Sequence, residues 1–543
     1  MLDSLLSPAD LSMGARLIGG LPRLLRHPIR IEAARSALRR RLERREADFL
    51  DLVRWGVYEN PVSPYHDLLR VAGCEYGDLE RLLGQEGLEE TLRRLYTRGV
   101  YLTVDELKGR CAAIRGPTAI HVDPARLFSP RLAPHLLSQT SGSRGVRSLI
   151  PISLPAIVDR AVDLALILDA HRARDWRLAC WGVPGGSALA QVLEYGAAGI
   201  EASRWFSLID PRAPGLHPRY RWSVHALRLA QVLAATKPLP APSHVMPDRP
   251  LPILRWMGQV LRRGETPHVM SYPSAVVRLC TAAMETGLDL RRAVFTSAGE
   301  PLTSARLAVI ERTGARIIPR YASVESGPIG YGCLAREAPD DLHLLRDLVA
   351  LVQPRETAAG REGLGSSESP FLPDTLLLST LRASAPLILI NASLGDQAVM
   401  RERRCGCPLE TLGWTAHLRD IRSHEKLTAG GMTFLDIDLI RVLEEVLPAR
   451  FGGAPTDYQL VEEEAEGGQP RLRLLVHPRV GAVDVEALAE IFLSTIGGGT
   501  GSERAMALLW RESRFLRVER QPPLAGPSGK IQHLHAGERR SRP

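Results

Sequence analysis

Short apolar runs alternate with amphipathic stretches through the middle of the chain, and polar segments separate them. Apolar positions recur at helical spacing from Val158 to Ala173 and from Ser187 to Tyr195, and the run from Leu178 to Gly182 between them suits a buried strand. Residues 210–252 are rich in proline and residues 354–373 in glycine and serine, so both are predicted to be surface loops. This alternation of helices and strands is typical of layered α/β proteins.

The pattern changes towards the C-terminus. Two further strands, Asp374 to Leu381 and Pro386 to Ile390, are predicted before the change. After residue 419 the chain predicts a small α+β unit that could fold as a separate domain. Its predicted elements are a helix over Ile437–Leu447, hairpin strands over Asp457–Glu463 and Leu472–His477, a helix over Val485–Ile496 and a strand over Phe515–Val518.

A basic amphipathic helix is predicted near the N-terminus, over residues 30–50. Leu38, Leu42 and Phe49 lie near one face of it, and arginines cover the rest. Such a helix could lie on a membrane surface. A solvated helix that packs against a neighbouring domain is the favoured interpretation.

The length of 543 residues exceeds what one hydrophobic core supports, so two or three domains are expected. The predicted fold class is α/β, with a large N-terminal multi-layer α/β domain and a small C-terminal α+β domain. We divide the chain into a helical N-terminal part of the large domain at 1–115, an α/β core at 116–418 and the small domain at 419–543.

Charge and cysteine content limit the partners and the compartment. The net charge of +8 favours an anionic ligand such as a nucleotide or CoA, although a genome that encodes arginine freely gives the same excess. Neither zinc-finger spacing nor a basic stripe with interleaved aromatics is visible, so no nucleic-acid partner is predicted. The seven cysteines are an odd number, and there is neither a secretory-type start nor an apolar run of about 18 residues. A reducing cytoplasm and no membrane insertion are predicted.

Two polar blocks follow apolar, strand-like runs. Ser297-Ala298-Gly299-Glu300-Pro301-Leu302 comes after Ala293–Phe295, and Arg320-Tyr321-Ala322-Ser323-Val324-Glu325-Ser326-Gly327 comes after Ala315–Ile318, with a short helix predicted over Thr303–Glu311 between them. The blocks are therefore predicted to be loops at the ends of parallel strands, where open α/β sheets bind ligands. An aromatic ring beside a carboxylate suits a nucleotide, because the ring can face the base and the oxygens can meet a cation.

Three other motifs could carry chemistry. Thr140-Ser141-Gly142-Ser143-Arg144-Gly145-Val146-Arg147-Ser148 offers small hydroxyls and glycines that let backbone N–H groups approach an anion, although a plain turn has the same composition. Leu394-Gly395-Asp396 places a carboxylate after a turn, where it could accept two hydroxyl hydrogen bonds. Gly526-Pro527-Ser528-Gly529-Lys530 ends in a lysine that would be merely solvated in an ordinary tail.

In this order the motifs resemble those of the adenylate-forming superfamily of acyl-CoA synthetases, in its phenylacetate–CoA ligase-like branch. The chain departs from that branch at Arg144 for threonine, Ala322 for glycine, Val324 for threonine, and Asn391-Ala392 for Tyr-Arg. The resemblance implies an ATP site made of Thr140, Ser141, Gly142, Ser143, Gly145, Ser297, Ala298, Gly299, Glu300, Pro301, Tyr321, Ala322, Ser323, Asp396 and Arg419.

The resemblance also implies the chemistry. A carboxylate attacks the α-phosphate of ATP, with Lys530 as the catalytic cation between the two anions and Glu325 as the magnesium ligand. The small domain then rotates near Asp420, and CoA takes the acyl group from acyl-AMP. Trp181, Tyr272 and Ser274 are the expected acyl pocket, and the rings of Trp181 and Tyr272 favour an aromatic acid.

Other acceptors and roles remain open. The expected partners are a small carboxylic acid and the thiol of CoA or of a carrier protein, and a homodimer is a further candidate. One alternative is a natural-product enzyme that passes the adenylate to an amine or a carrier protein. Another is a degenerate homologue that binds a nucleotide without turnover. Acid-dependent pyrophosphate release separates the enzymes from the non-catalytic binder, and its dependence on CoA indicates the acceptor.

A separate group of thiols and imidazole could hold a metal. Cys405 and Cys407 form a Cys-x-Cys pair, and with the distant Cys333 and His343 they could make a tetrahedral structural zinc site. Buried, inert thiols are the alternative interpretation.

Overall fold

The computed structural model describes most of the chain, namely residues 8–139, 149–182, 185–208, 228–229, 231–232, 238, 240–246, 249–354, 370–423, 427–429, 432–434, 436–464, 470–496, 516–525 and 530–536. The α-helices run over Pro8–Arg26, Ile31–Glu43, Arg45–Val53, Pro64–Val71, Tyr76–Glu86, Leu88–Thr97, Val104–Leu107, Leu154–Ala170, Gly186–Ala197, Leu251–Arg262, Pro273–Thr286, Ser304–Arg312, Asp436–Arg441, Leu447–Phe451 and Val485–Ile496. Short 3-10 helices are Pro124–Leu127, Glu410–Leu412 and Pro478–Val480, and π-helical turns are Arg54–Tyr58 and Val442–Val446.

The strands are numbered β1 to β22 along the chain. They are β1 Ala113–Arg115, β2 Thr118–Ile120, β3 Leu136–Gln139, β4 Leu149–Ile152, β5 Trp176–Gly182, β6 Ala202–Ser207, β7 Ser243–His244, β8 Thr266–Ser271, β9 Val294–Ser297, β10 Arg316–Ser323, β11 Gly327–Gly332, β12 Leu342–Leu344, β13 Val349–Val352, β14 Thr375–Thr380, β15 Ala392–Glu402, β16 Ala416–Ser423, β17 Leu427–Ala429, β18 Met432–Phe434, β19 Tyr458–Glu464, β20 Pro470–Val476, β21 Leu516–Glu519 and β22 Leu534–Ala536.

One large sheet joins a parallel half to an antiparallel half. In the described residues its strand order is β13-β14-β15-β16-β12-β11-β10-β9-β8-β5-β6-β7. β10 is the junction, because it pairs in parallel with β9 and antiparallel with β11. Strands of the parallel half are buried on both faces, as in β9, since helices cover both sides. The predicted α/β fold class is confirmed.

Capping residues in the sequence explain where two of these helices begin and where one of them ends. Thr303 caps the helix Ser304–Arg312, because its hydroxyl accepts the N–H of Arg306. The helix Pro273–Thr286 starts with a proline, which has no N–H to leave unpaired, and ends at Gly287 with φ 69°.

A smaller unit lies at the C-terminal end of the described chain, and we call residues 436–536 the C-terminal unit. Its four-stranded sheet has the order β21-β20-β19-β22, and the predicted hairpin is confirmed by the pairing of Tyr458 with Val476. Leu460, Leu474 and Phe492 are buried in a core separate from the two cores of the large part. The predicted small α+β fold is therefore present.

Two predicted elements are wrong in detail. Pro386–Ile390 is not a strand, since only Leu387 forms an isolated bridge, with Phe128. The run is apolar because it is buried, and an apolar run alone does not distinguish a strand from a buried irregular segment. The block Arg320–Ser323 is not a loop but the end of β10, where β11 continues to pair with it.

None of the helices in the described residues has the length and apolar character needed to cross a bilayer.

Candidate active site

The polar ends of β9 and β10 meet at one edge of the sheet. Ser297 of β9 pairs with Pro319 of β10 in the parallel register, so the residues that follow each strand lie side by side. They open into a cavity of about 460 Å³, a size typical of ligand sites. The residues from the two polar blocks that line it are Ser297, Gly299, Glu300, Pro301, Leu302, Arg320, Tyr321, Ala322, Ser323, Val324 and Glu325.

Lys530 reaches this cavity from the C-terminal unit. Its Nζ lies 2.7 Å from the point that a Cβ would occupy on Gly299, whose φ is 84°. The same Nζ lies 5.2 Å from the centroid of the Tyr272 ring, within the range of a cation–π contact. Burial lowers the pKa of Lys530, and the negative charge of Glu300 opposes that shift. A residue at position 299 with a side chain would block this approach.

Glu300 fixes the chain next to Lys530. Its carboxylate accepts the N–H of Ile531 at 3.1 Å, and the N–H and hydroxyl of Ser274 at 2.9 and 2.8 Å. It also accepts an N–H of Arg306 at 2.9 Å. These donors satisfy a buried carboxylate. Glu300 therefore positions the end of the chain as well as lining the cavity.

A second buried carboxylate, Glu444, ties the C-terminal unit to the large part. It accepts hydrogen bonds from Nε of Arg306 at 2.7 Å and Nε2 of His533 at 2.5 Å, and also from the Thr303 hydroxyl. Burial raises the pKa of Glu444, but the charges of Arg306 and His533 outweigh burial and lower this pKa to about 2. The carboxylate is therefore charged near neutral pH, and Arg306 bridges it to Glu300.

Tyr321 and Asp396 pair on the facing wall of the cavity. The Tyr321 hydroxyl donates a 2.7 Å hydrogen bond to Oδ2 of Asp396. Burial raises the pKa of Tyr321 well above its ordinary value, and the negative charge of Asp396 adds to this, so the phenol keeps its proton. This pair offers an aromatic face and a carboxylate to the same ligand.

Glu325 is a half-buried carboxylate in the cavity lining. Burial raises its pKa, and the positive charge of Lys108 opposes the rise. Lys108 follows the short helix Val104–Leu107 and lines the same cavity. A carboxylate in this setting is a suitable oxygen ligand for Mg²⁺, since a hard cation would offset the cost of its burial.

Asp340 holds the backbone in the second half of β16. Asp340 accepts the N–H groups of Asp420 and Ile421 at 3.1 and 2.8 Å, and Arg422 donates to it at 3.1 Å. Asp420 has φ 55°, a left-handed conformation that is uncommon for a residue with a side chain. The backbone therefore bends at the predicted hinge residue. Arg419 points an Nε at its neighbour Asp420 at 3.7 Å and is not in the lining of the cavity.

The predicted acyl-pocket residues lie behind the cavity lining. Trp181 is fully buried, and its indole N–H donates to the carbonyl of Val245 at 3.1 Å. The Ser274 hydroxyl donates a hydrogen bond to Glu300, and the Tyr272 ring lies beside Lys530. Their role in acid binding stays a prediction. The predicted phosphate loop, Thr140 to Ser148, lies outside the described residues, which resume on either side in the antiparallel pair β3 and β4.

Several residues that shape this site are absent from the predicted set. They are Lys108, Arg306, Asp340, Arg422, Glu444 and His533. The adjacent acidic pair Asp340-Asp341 and the arginine in the first turn of the helix after Glu300 were visible in the chain, but nothing local showed that they converge. The predicted cysteine and histidine group lies together elsewhere, beside the start of β16.

No family model and no curated protein matches the sequence. Among solved structures, the chain is similar to 2-hydroxyisobutyryl-CoA ligase in the postadenylation state in complex with R3-HIB-AMP, with a TM-score of 0.53 and 15% identity over 99% of this chain and 95% of that chain. It is similar to the same ligase with 2-HIB-AMP, at a TM-score of 0.53 and 15% identity over 91% of this chain and 89% of that chain. The likeness shows a shared fold that extends over both parts of the molecule. It agrees with the fold predicted from the motifs.

Proposed function

We propose that this protein is an AMP-forming carboxylate ligase. It activates a carboxylic acid with ATP as an acyl-adenylate, releases pyrophosphate and transfers the acyl group to CoA. The observation that carries the proposal is the placement of Lys530, which the C-terminal unit inserts over Gly299 into the cavity that also holds Tyr321, Glu325 and Asp396.

Lys530 is the catalytic residue of the first half-reaction. The carboxylate and the α-phosphate are both anionic, and their repulsion opposes the attack. A cation placed in advance between them stabilises the charge that builds up as the bond to phosphorus forms. The burial of this ammonium group strengthens its interaction with those anions, because the local dielectric constant is lower than that of water.

The nucleotide occupies the wall formed by Tyr321 and Asp396. Asp396 accepts the ribose hydroxyls, and the Tyr321 ring lies against the base. Glu325 would hold Mg²⁺ from the same wall, and the ion supplies charge neutralisation at the phosphates when it is bound. Residues 140–148 bind the phosphates through backbone N–H groups and Arg144.

The favoured acid is aromatic. Tyr272 supports this choice, since its ring lies beside Nζ of Lys530, where the carboxylate of the acid must sit. A ring next to that point provides an apolar contact for the group attached to the carboxylate. Trp181 lies fully buried behind this region.

CoA is the favoured acceptor, and its access requires that Lys530 leave the cavity after adenylation. The C-terminal unit is attached through Glu444, Arg306 and His533 and through the bond from Ile531 to Glu300. These polar contacts can separate in water at lower cost than an apolar core, which supports rotation of the unit about Asp420. A carrier-protein thiol or an amine would reach the acyl-adenylate in the same rotated state of the C-terminal unit.

Pyrophosphate release tests the proposal. Purified protein is given ATP, Mg²⁺ and a panel of aromatic and aliphatic acids, with and without CoA, and mass spectrometry identifies acyl-AMP and acyl-CoA. Release that depends on an acid, with acyl-AMP present, is the expected result. CoA, a carrier protein and hydroxylamine are then compared as acceptors. Nucleotide binding by calorimetry without release for any acid would contradict the proposal and favour a non-catalytic nucleotide-binding protein.

A further inference from the structure

Five possible metal ligands converge at a place that the proposed reaction does not use. His343 of β12 and His417 of β16 are direct cross-strand partners, and their ring centroids are 4.2 Å apart. Cys333 follows the end of β11, and Cys405 and Cys407 lie in the connection from β15 to β16. Segments distant in the sequence are therefore joined at one point.

The separations match those of a four-coordinate metal site. Nε2 of His343 lies 3.2 Å from Sγ of Cys407 and 3.7 Å from Sγ of Cys405. The possible ligand atoms of Cys333, His343, Cys405 and His417 all lie within 4.8 Å of one another. Bond lengths of about 2.3 Å to sulfur and about 2.0 Å to nitrogen place tetrahedral ligand atoms about 3.5 to 3.8 Å apart.

The histidines are oriented as metal ligands are. Nδ1 of His343 donates to the carbonyl of Trp414 at 2.6 Å, which leaves the lone pair of Nε2 directed at the sulfurs. Nδ1 of His417 is 2.7 Å from a carboxylate oxygen of Asp341, and its ring is 1% exposed. Within the described residues Nε2 of His417 has no hydrogen-bond partner. A buried nitrogen in that state is costly unless something else binds it.

Two N–H donors also point at the sulfur of Cys333. Nη2 of Arg403 and the N–H of Ala335 each lie 3.3 Å from Sγ of Cys333. N–H groups that point at one sulfur stabilise negative charge on it. Arg403 also pairs with Asp341, so the guanidinium lies between the cysteine group and the carboxylate that orients His417. A buried apolar thiol would need none of these donors.

We propose that Cys333, His343, Cys405 and His417 bind a structural Zn²⁺, and that Cys407 can replace His417 as the fourth ligand. Four protein ligands leave no open position, so the ion stabilises structure and does not take part in catalysis. It holds the start of β16 in place, and residues near the other end of this strand, Ile421 and Arg422, line the cavity. The ion therefore anchors the strand that precedes the C-terminal unit in the chain.

Metal analysis of the full chain tests the inference. Protein produced in zinc-supplemented medium and passed over a desalting column should hold about one zinc ion per chain by mass spectrometry. Cys333→Ser/Cys405→Ser should hold less than a tenth of that amount. The control Cys111→Ser/Cys280→Ser also removes two thiols, one exposed and one buried, and should keep the ion.

A second measurement does not depend on the stability of a variant. Wild-type protein stripped with a chelator under reducing conditions should take up Co²⁺ and show thiolate-to-cobalt charge-transfer absorption. His417→Asn should retain the metal with stronger charge-transfer absorption, because Cys407 then supplies a third thiolate, and Cys407→Ser/His417→Asn should lose it. A wild-type chain that binds neither zinc nor cobalt, or that holds these cysteines as a disulfide when purified under reducing conditions, would overturn the inference. Because each readout is metal content, the result is independent of any adenylation activity.

Discussion

The backbone N–H of Ile531 donates a 3.1 Å hydrogen bond to the carboxylate of Glu300. Lys530 is the preceding residue, so this bond fixes the chain where it places an ammonium group against Gly299. Glu300 is in turn held by Ser274 and Arg306. A residue that the motifs indicate as a nucleotide contact is therefore also the anchor of the proposed catalytic lysine, which comes from another part of the chain.

Glu300→Gln should impair both stability and adenylation. The amide places an NH₂ group where the carboxylate accepts N–H groups from Ser274, Arg306 and Ile531. Removing one partner of a buried ion pair costs about 3 kcal/mol, and we expect the free energy of unfolding in urea to fall by that order. At a temperature where the variant is folded, acid-dependent pyrophosphate release should fall more than tenfold.

Glu311→Gln is the matched control for this change. Its side chain is 52% exposed and pairs with Arg336 at the surface, so the same substitution should alter neither quantity measurably. If Glu300→Gln lowers stability but leaves the rate per folded molecule unchanged, Glu300 does not position Lys530.

Lys530→Ala should abolish adenylation without unfolding the protein. Loss of a preorganised charge at a reacting phosphate costs about 10²- to 10³-fold in rate. Pyrophosphate release should fall by at least that factor, whereas transfer from a supplied acyl-adenylate to CoA should persist, because that step does not bring two anions together. Arg70→Ala, which removes an exposed positive charge, should behave as wild type. Equal pyrophosphate release in wild type and Lys530→Ala would show that the lysine has no catalytic role.

Gly299→Ala should block the site through a single methyl group. The new Cβ would lie 2.7 Å from Nζ of Lys530 and 3.4 Å from the Tyr272 ring, so the lysine must leave its position. We expect pyrophosphate release to fall more than tenfold.

Gly287→Ala separates this effect from backbone strain. Gly287 also has a positive φ, 69°, but a Cβ there meets no atom within 4 Å. Both variants should lose about 1 kcal/mol of stability from the left-handed backbone. Only Gly299→Ala should lose adenylation, and similar activity in the two variants would contradict the placement of Lys530.

The stability that Glu444 provides should disappear in acid. Its pKa is lowered from an ordinary value of 4.5 to about 2 in the folded protein. A carboxylate with a lowered pKa stabilises the fold above its unfolded value, and this contribution is lost as the pH falls through the folded value. The gap corresponds to about 3 kcal/mol. Unfolding in urea should show wild type more stable than Glu444→Gln above pH 4.5, with the difference shrinking as the pH falls towards 2. A difference that stays constant over this range would mean that the charge of Glu444 contributes nothing.

Much of the architecture follows from local pattern. The helix Val485–Ile496 and the hairpin of β19 and β20 have the positions expected from their periodicity, because each buries one face against a nearby core. The prediction of a strand over Pro386–Ile390 is wrong, since a buried segment is apolar whether or not it pairs with a neighbouring strand. Tyr321 was expected in a loop, yet β11 extends the pairing to its position.

The candidate site was only partly predictable. The sequence by itself indicated which residues could do chemistry, because the order of its short polar blocks resembles that of the adenylate-forming superfamily. It also determined the α/β layers and the small C-terminal unit, since these depend on hydrophobic periodicity along the chain. The tertiary structure alone decided that Glu300 anchors Ile531, that Glu444 joins Arg306 to His533, and that His417 faces Cys333 and Cys405. Those contacts join residues far apart in the chain, and their geometry depends on how the sheet and the C-terminal unit pack in three dimensions.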